Sequence, residues 1–140
     1  MKIIFPMLGI SSQEKIAGYP LSLYEIKKKS ILERVLDNYQ SLNAQLIFII
    51  GEKEEKKYHL SSISNTLSKT NGKIITVQRP TSGALCSCLL AIDYLDDDED
   101  LLIANTDQLF SLPFADILEK VSSKADSAVF SFNSVHPRWS

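Results

Sequence analysis

The chain reads as an α/β domain, a mainly parallel sheet flanked by helices, and three observations predict it. Short apolar runs at residues 2–7, 46–50 and 101–104 are scarcely interrupted, the pattern of strands buried on both faces. Between them lie segments whose apolar residues recur at helical spacing. Strand and helix then alternate along the chain, which implies right-handed crossovers and parallel pairing. The 140 residues suit one domain with a real hydrophobic core, and no repeat, linker or low-complexity stretch divides them.

Residues 2–7 form the predicted first strand, with Gly9 opening a loop that lasts to Leu21. A helix is expected over about 30–42, because Ile31, Leu32, Val35, Leu36, Tyr39 and Leu42 share one face. Ser30 with Glu33 three positions on is a capping box for it. Residues 46–50 are the second strand, and 52–57 are a charged segment able to start a helix with a solvated face. Tyr58, Ile63 and Leu67 supply only a weak apolar stripe, and Asn71-Gly72 marks a turn. The third strand is 73–77. Leu85, Cys88, Leu89, Ile92 and Leu95 then mark a second strong helix. After the strand at 101–107, Pro113 suits the first position of a helix carrying Phe114, Ile117, Leu118 and Val121. Residues 128–132 read as a last strand.

Composition narrows the function classes. Formal net charge is −2, and the longest basic cluster, Lys27-Lys28-Lys29, reads as a solvated turn, so no nucleic-acid footprint is present. No apolar run approaches the roughly 18 residues of a membrane span. Without a charged-then-apolar leader pattern, a cytoplasmic location is the default expectation. Cys86 and Cys88 point to different faces of a helix, which suits neither a disulfide nor a shared metal, and both are expected to be buried thiols. The acidic run at residues 96–100 reads as a hydrated turn, since adjacent carboxylates cannot converge on one ion without a tight loop. His59 and His136 receive no catalytic role.

The topology sends three loops to one side of the sheet, at the carboxyl ends of the strands where ligands of open α/β sheets bind. Leu8, Gly9, Ser11 and Ser12 follow the first strand and offer backbone N–H groups and hydroxyls to a phosphate. Gly83 precedes a helix and, lacking a Cβ, lets a flat base come close to the backbone. Asp107 follows Asn105 and Thr106 at the end of the fourth strand and can hold a hard cation that also binds phosphates. Its rival reading is a cap on a short following helix.

These residues resemble the nucleotidyltransferases that make NDP-sugars, which share a fold with the GT-A glycosyltransferases, and in particular members from bacterial surface-polysaccharide loci. The resemblance rests on Phe5-Pro6-Met7-Leu8-Gly9, on residues 23–38 with Glu25-Ile26 and the run from Leu32 to Asn38, on residues 83–94, on 101–108, and on the closing 134–140. It implies a Rossmann-like nucleotide-binding half of that fold. The chemistry implied is attack of a sugar 1-phosphate, or a similar phosphate, on the α-phosphorus of an NTP, with pyrophosphate leaving. Asp107 would bind Mg²⁺, Gly83 would contact the base, and Gly9 and Ser12 would wrap the triphosphate. NTP and sugar-phosphate-type small molecules are the implied ligands, and homo-oligomerisation stays open.

Three departures accompany the match. The family's Gly-x-Gly-Ser/Thr-Arg loop stands here as Gly9-Ile10-Ser11-Ser12-Gln13, without the second glycine and the arginine. Its Pro-Lys-Pro-Leu stands as Pro20-Leu21-Ser22-Leu23, with Leu21 at the lysine position. Family members also run past the equivalent of Ser140, so residues 1–140 correspond to a nucleotidyltransferase-like domain that stops before the acceptor-binding part. A catalytically silent relative that binds a nucleotide or a partner is therefore a second expectation. A GT-A glycosyltransferase is a more distant third, since Asn105 stands where Asp-x-Asp would begin.

Overall fold

The computed structural model describes residues 1–8, 18, 20–69, 72–111, 113–122, 125–131 and 133. Four strands make one parallel sheet: β1 (Lys2–Met7), β4 (Gln45–Gly51), β5 (Lys73–Val77) and β6 (Leu101–Ile103), in the order β5-β4-β1-β6. The register is continuous, with Ile3 beside Leu46 and Leu102, and Phe48 beside Phe5 and Ile74. Strand order reverses at β1, because β4 and β5 build outward on one side and β6 returns to the other.

Between β1 and β4 lies a two-stranded antiparallel hairpin, β2 (Glu25–Ile26) and β3 (Lys29–Ser30), which the periodicity did not announce. Its turn is the Lys27-Lys28 pair, at φ 50° and 65°, conformations that hairpin turns usually assign to Asn-Gly. Lys29 is drawn back onto the next helix, 2.7 Å from Asp37 and 3.4 Å from Glu33.

That helix, α1 (Ile31–Asp37), begins as its sequence predicts: the Glu33 N–H donates to Ser30 Oγ at 3.1 Å. It ends sooner than residue 42. The N–H groups of Asn38, Tyr39 and Leu42 bond three residues back, so 38–42 coil as tighter turns. Tyr39 still points inward and is buried. After β4 come α2 (Glu52–Tyr58), which buries no residue, and α3 (Leu60–Ser68). They are separated by His59 at φ 53°, and Glu55 of α2 reaches across the break to accept from the Ser61 N–H at 2.7 Å.

The two faces of the sheet are covered unequally. Ile3, Phe5, Leu46, Phe48 and Ile50 face α1, α3 and α5 (Phe114–Ser122), and they form the larger core with Leu32, Val35, Tyr39, Leu60 and Phe114. Rings dominate it: Phe5 stacks on Phe48 with centroids 5.1 Å apart, and Tyr39 meets Phe114 edge-on at 4.9 Å. Burial pushes the Tyr39 phenol up to about 12. On the other face Ile4, Ile47 and Ile49 cluster with buried Cys88 and Ala91, and partly buried Leu8, Ile75, Val77 and Leu95 pack against them.

Those two residues belong to the segment predicted as a long helix. It is α4 (Ala84–Cys88) continued by a 3-10 stretch, Leu89–Tyr94. The predicted stripe faces outward, since Leu85, Leu89 and Ile92 are 69%, 57% and 60% exposed. Small Ser87, Cys88 and Ala91 turn inward instead, because they let the segment lie close on the β-branched strand residues. Of the two expected buried thiols only Cys88 is buried, and Cys86 is exposed.

The acidic run is more than a hydrated turn. Asp97 and Asp98 do turn, but Glu99 holds the N-terminal ammonium at 2.6 Å and Asp96 holds Lys2 at the same distance. Residues 128–131 form no strand, correcting the expectation for 128–132; Phe132 lies outside the described residues. Phe130 packs its ring on Phe110 and Phe114 instead, and Val129 is exposed.

Candidate functional site

Parallel pairing sets the carboxyl ends of β1, β4, β5 and β6 along one edge, so the loops after Met7, Val77 and Ile103 leave on the same side. β1 and β6 are direct neighbours, so their carboxyl ends lie on adjacent strands. The loop after β5 starts two strands away, across β4.

Leu8 follows β1, and its partly buried side chain packs against the smaller core. Gly9, Ser11, Ser12 and Gln13, the predicted phosphate loop, lie outside the described residues. Leu21 sits in a 3-10 turn, Leu21–Leu23, half-buried.

Gly83 takes φ 147°, ψ 173°, a region that is essentially glycine-only. A Cβ added there would meet nothing within 4 Å. Glycine is therefore required by the backbone, and no described residue fills the space a Cβ would take. A network missed by sequence reasoning pins this conformation. Thr81 Oγ1 donates to the Gly83 carbonyl at 3.1 Å and lies 2.6 Å from Ser87 Oγ, and the Ser87 N–H donates to the same carbonyl at 3.0 Å. Ser87 is buried, although in sequence it is only a small polar residue inside an apolar stripe. Its spacing, four residues after the glycine, is the one signal that was available.

Asp107 is exposed, in a bend after β6, and makes no hydrogen bond or ion pair with a described residue. Residues 108–111 carry no helix and α5 begins at Phe114, so Asp107 is not the cap of a short following helix. Asn105 beside it is exposed as well. A lone free carboxylate fits Mg²⁺, which keeps several waters and is held by one or two carboxylates together with substrate phosphates. Among the described residues no group of three His, Cys, Asp or Glu side chains could cage an ion. No helix among them is long and apolar enough to cross a membrane.

No family model matches the chain, and no curated relative matches it. Among solved structures it is similar to a nucleoside-diphosphate-sugar pyrophosphorylase from Vibrio cholerae RC9, with a TM-score of 0.62 and 22% sequence identity. The match covers 84% of this chain and 52% of that one, so the chain spans about half the length of that neighbour. The fold is thus an α/β fold of the kind seen in a nucleotidyltransferase, with a mainly parallel four-stranded sheet flanked by helices.

Proposed function

We propose that the chain is the nucleotide-binding part of a nucleotidyltransferase, taking an NTP with Mg²⁺ and passing its nucleotidyl group to a sugar 1-phosphate or similar phosphate, with release of pyrophosphate. Surface-polysaccharide synthesis is the setting suggested by the sequence resemblance. The observation that carries this reading is Asp107: a free, exposed carboxylate at the carboxyl end of β6, the strand next to β1.

In this reading the base lies over the Gly83 backbone, where no Cβ intrudes. The Thr81 and Ser87 hydroxyls keep that surface fixed. Leu8 anchors the start of the phosphate loop by packing its partly buried side chain against the smaller core. Gly9, Ser11 and Ser12 give N–H groups and hydroxyls to the phosphates. Asp107 would hold Mg²⁺, which when bound supplies charge neutralisation at the phosphates. Little covalent work is asked of the protein, because phosphoryl transfer is governed by positioning and electrostatic stabilisation.

A second reading is supported by Gln13 and Leu21, which stand where the family has cations. Losing a positioned cation at a phosphoryl centre costs on the order of 10³ or more in rate. On that account the chain binds a nucleotide and does not turn it over. Thermal shift with each NTP, with and without Mg²⁺, tests the feature common to both readings, and no shift with any of them sinks both. Asp107→Asn is expected to abolish the Mg²⁺-dependent part of the shift and to leave the ligand-free melting temperature unchanged. Pyrophosphate release with a panel of sugar 1-phosphates then decides between transfer and silent binding.

A further inference from the structure

Helix α2 is seven residues long, six of them charged, and none is fully buried. Apart from the Tyr58 ring, which packs against the larger core, core packing gives it little reason to stand at the end of β4. What it touches is the loop that follows β1.

Both flanks of that loop meet α2. A Cβ built on Gly51, the residue that caps the helix, would come 3.6 Å from Leu8 Cδ2, an ordinary contact distance. At the far flank the Gly18 carbonyl accepts from the Tyr58 hydroxyl at 2.5 Å and from the Lys57 ammonium at 3.4 Å. Residues 9–17 run between these two contacts. Leu8 packs against the smaller core and Tyr58 against the larger one, so α2 crosses the carboxyl edge of the sheet. At about 1.5 Å per residue, the helix sets its two contacts roughly 10 Å apart.

The Gly18 contact is held from both sides. Gly18 takes φ 65°, the left-handed region that favours glycine. On the helix side, the His59 N–H donates to the Glu55 carbonyl at 2.9 Å, and the Glu55 carboxylate accepts from the Ser61 N–H at 2.7 Å. Those bonds fix the turn where α2 stops. The Lys57 ammonium also lies 4.9 Å from the centroid of the Tyr58 ring, which keeps charge and hydroxyl together.

We propose, resting on the nucleotide reading above, that α2 is a brace for the phosphate loop and that Tyr58 and Lys57 are positioning residues for the NTP. Fixing both flanks limits the arrangements open to Gly9, Ser11 and Ser12, so less ordering is left to be done when the phosphates arrive. Lys57 also brings positive charge to a loop in which Gln13 and Leu21 stand where the family has cations. Leu21 is three residues past Gly18, at most about 11 Å of chain.

Equilibrium binding of each NTP with Mg²⁺ to the full chain tests this. Tyr58→Phe keeps the ring and removes the hydroxyl, and the Kd is expected to rise about two- to tenfold, the worth of one hydrogen bond. Lys57→Met, at an exposed position, should weaken binding by a similar factor, and Lys57→Arg, which keeps charge and donors, should restore it. The ligand-free melting temperature should hold in all three. An unmodified chain that binds no NTP removes the nucleotide reading and the brace with it. If the chain binds an NTP and Tyr58→Phe and Lys57→Met bind it as tightly, the brace alone is wrong. Loss of binding that follows a fall in melting temperature, or that Lys57→Arg does not repair, overturns it too.

Discussion

The sheet has one thick face and one thin one. Over Ile3, Phe5 and Phe48 lie three helices and a chain of ring contacts running from Phe48 through Phe5 and Tyr39 to Phe114. Over Ile4, Ile47 and Ile49 the described residues place one five-residue helix with a 3-10 extension, which brings Cys88 and Ala91 to them, with Leu8 and Leu95 partly buried alongside. Alternate residues of the same strands thus serve very different cores. Complete burial of a strand residue does not by itself say how much material lies above it, and the cost of a cavity depends on how far that material can settle.

Truncation on each face gives the largest test of this contrast. Phe48→Ala should cost about 3–5 kcal/mol, because the stacked Phe5 and the helices above cannot close the gap. Ile49→Ala, one residue on and equally buried, should fall near the low end of the roughly 2–5 kcal/mol range, since one short helix can move down. Denaturant unfolding of the two variants compares them directly, and equal costs would remove the distinction. Next is Gly83→Ala at the entry to the thin-face helix. It should cost about 1–3 kcal/mol by forcing a side chain into a glycine-only conformation, even though space is open there. If only nucleotide binding falls and the melting temperature holds, the strain argument is wrong.

Smaller still is Ser30→Ala, which removes the cap of the thick-face helix and should cost about 1 kcal/mol by thermal unfolding. The least effect belongs to Glu99, where the connection from the thin face returns to the sheet. The N-terminal ammonium, and after it Lys2, holds the Glu99 carboxyl below its ordinary value of 4.5. A carboxyl with a depressed folded pKa contributes stability that is present above 4.5 and lost as pH falls through the lower folded value. Glu99→Gln should therefore lose that small contribution at neutrality, change little at pH below the folded value, and so flatten the acid limb of the stability curve.

Much of the fold was legible because strands buried on both faces print as apolar runs, and Lys2–Met7 and Gln45–Gly51 are such strands. The start of α1 was legible too, since a capping serine acts through local chemistry. The thin face was not. Leu85, Leu89 and Ile92 make a regular stripe, yet small residues beside it decided which side could approach Ile4 and Ile47. Periodicity reports that a segment is amphipathic, while close packing chooses the face. The Lys27-Lys28 hairpin was hidden for a different reason, as lysine is an unusual occupant of two consecutive positive-φ positions. Of the candidate site, Gly83 was legible because glycine announces a special backbone. The free state of Asp107 was not, because whether a carboxylate caps a helix depends on where that helix begins.

The placement of β6 has a kinetic consequence. Its partner β1 is almost a hundred residues earlier in the chain, and the Met1–Glu99 ion pair spans a separation of 98. β1, β4 and β5 with their helices are all made before β6 exists, and they already enclose the aromatic cluster of Phe5, Tyr39 and Phe48. Non-local contacts must meet a loop-closure entropy before they are rewarded, and a three-residue strand returns little early reward. β6 is therefore expected to dock after the rate-limiting step of folding. Leu102→Ala should then speed unfolding and leave the refolding rate nearly unchanged, a split that stopped-flow measurements would resolve.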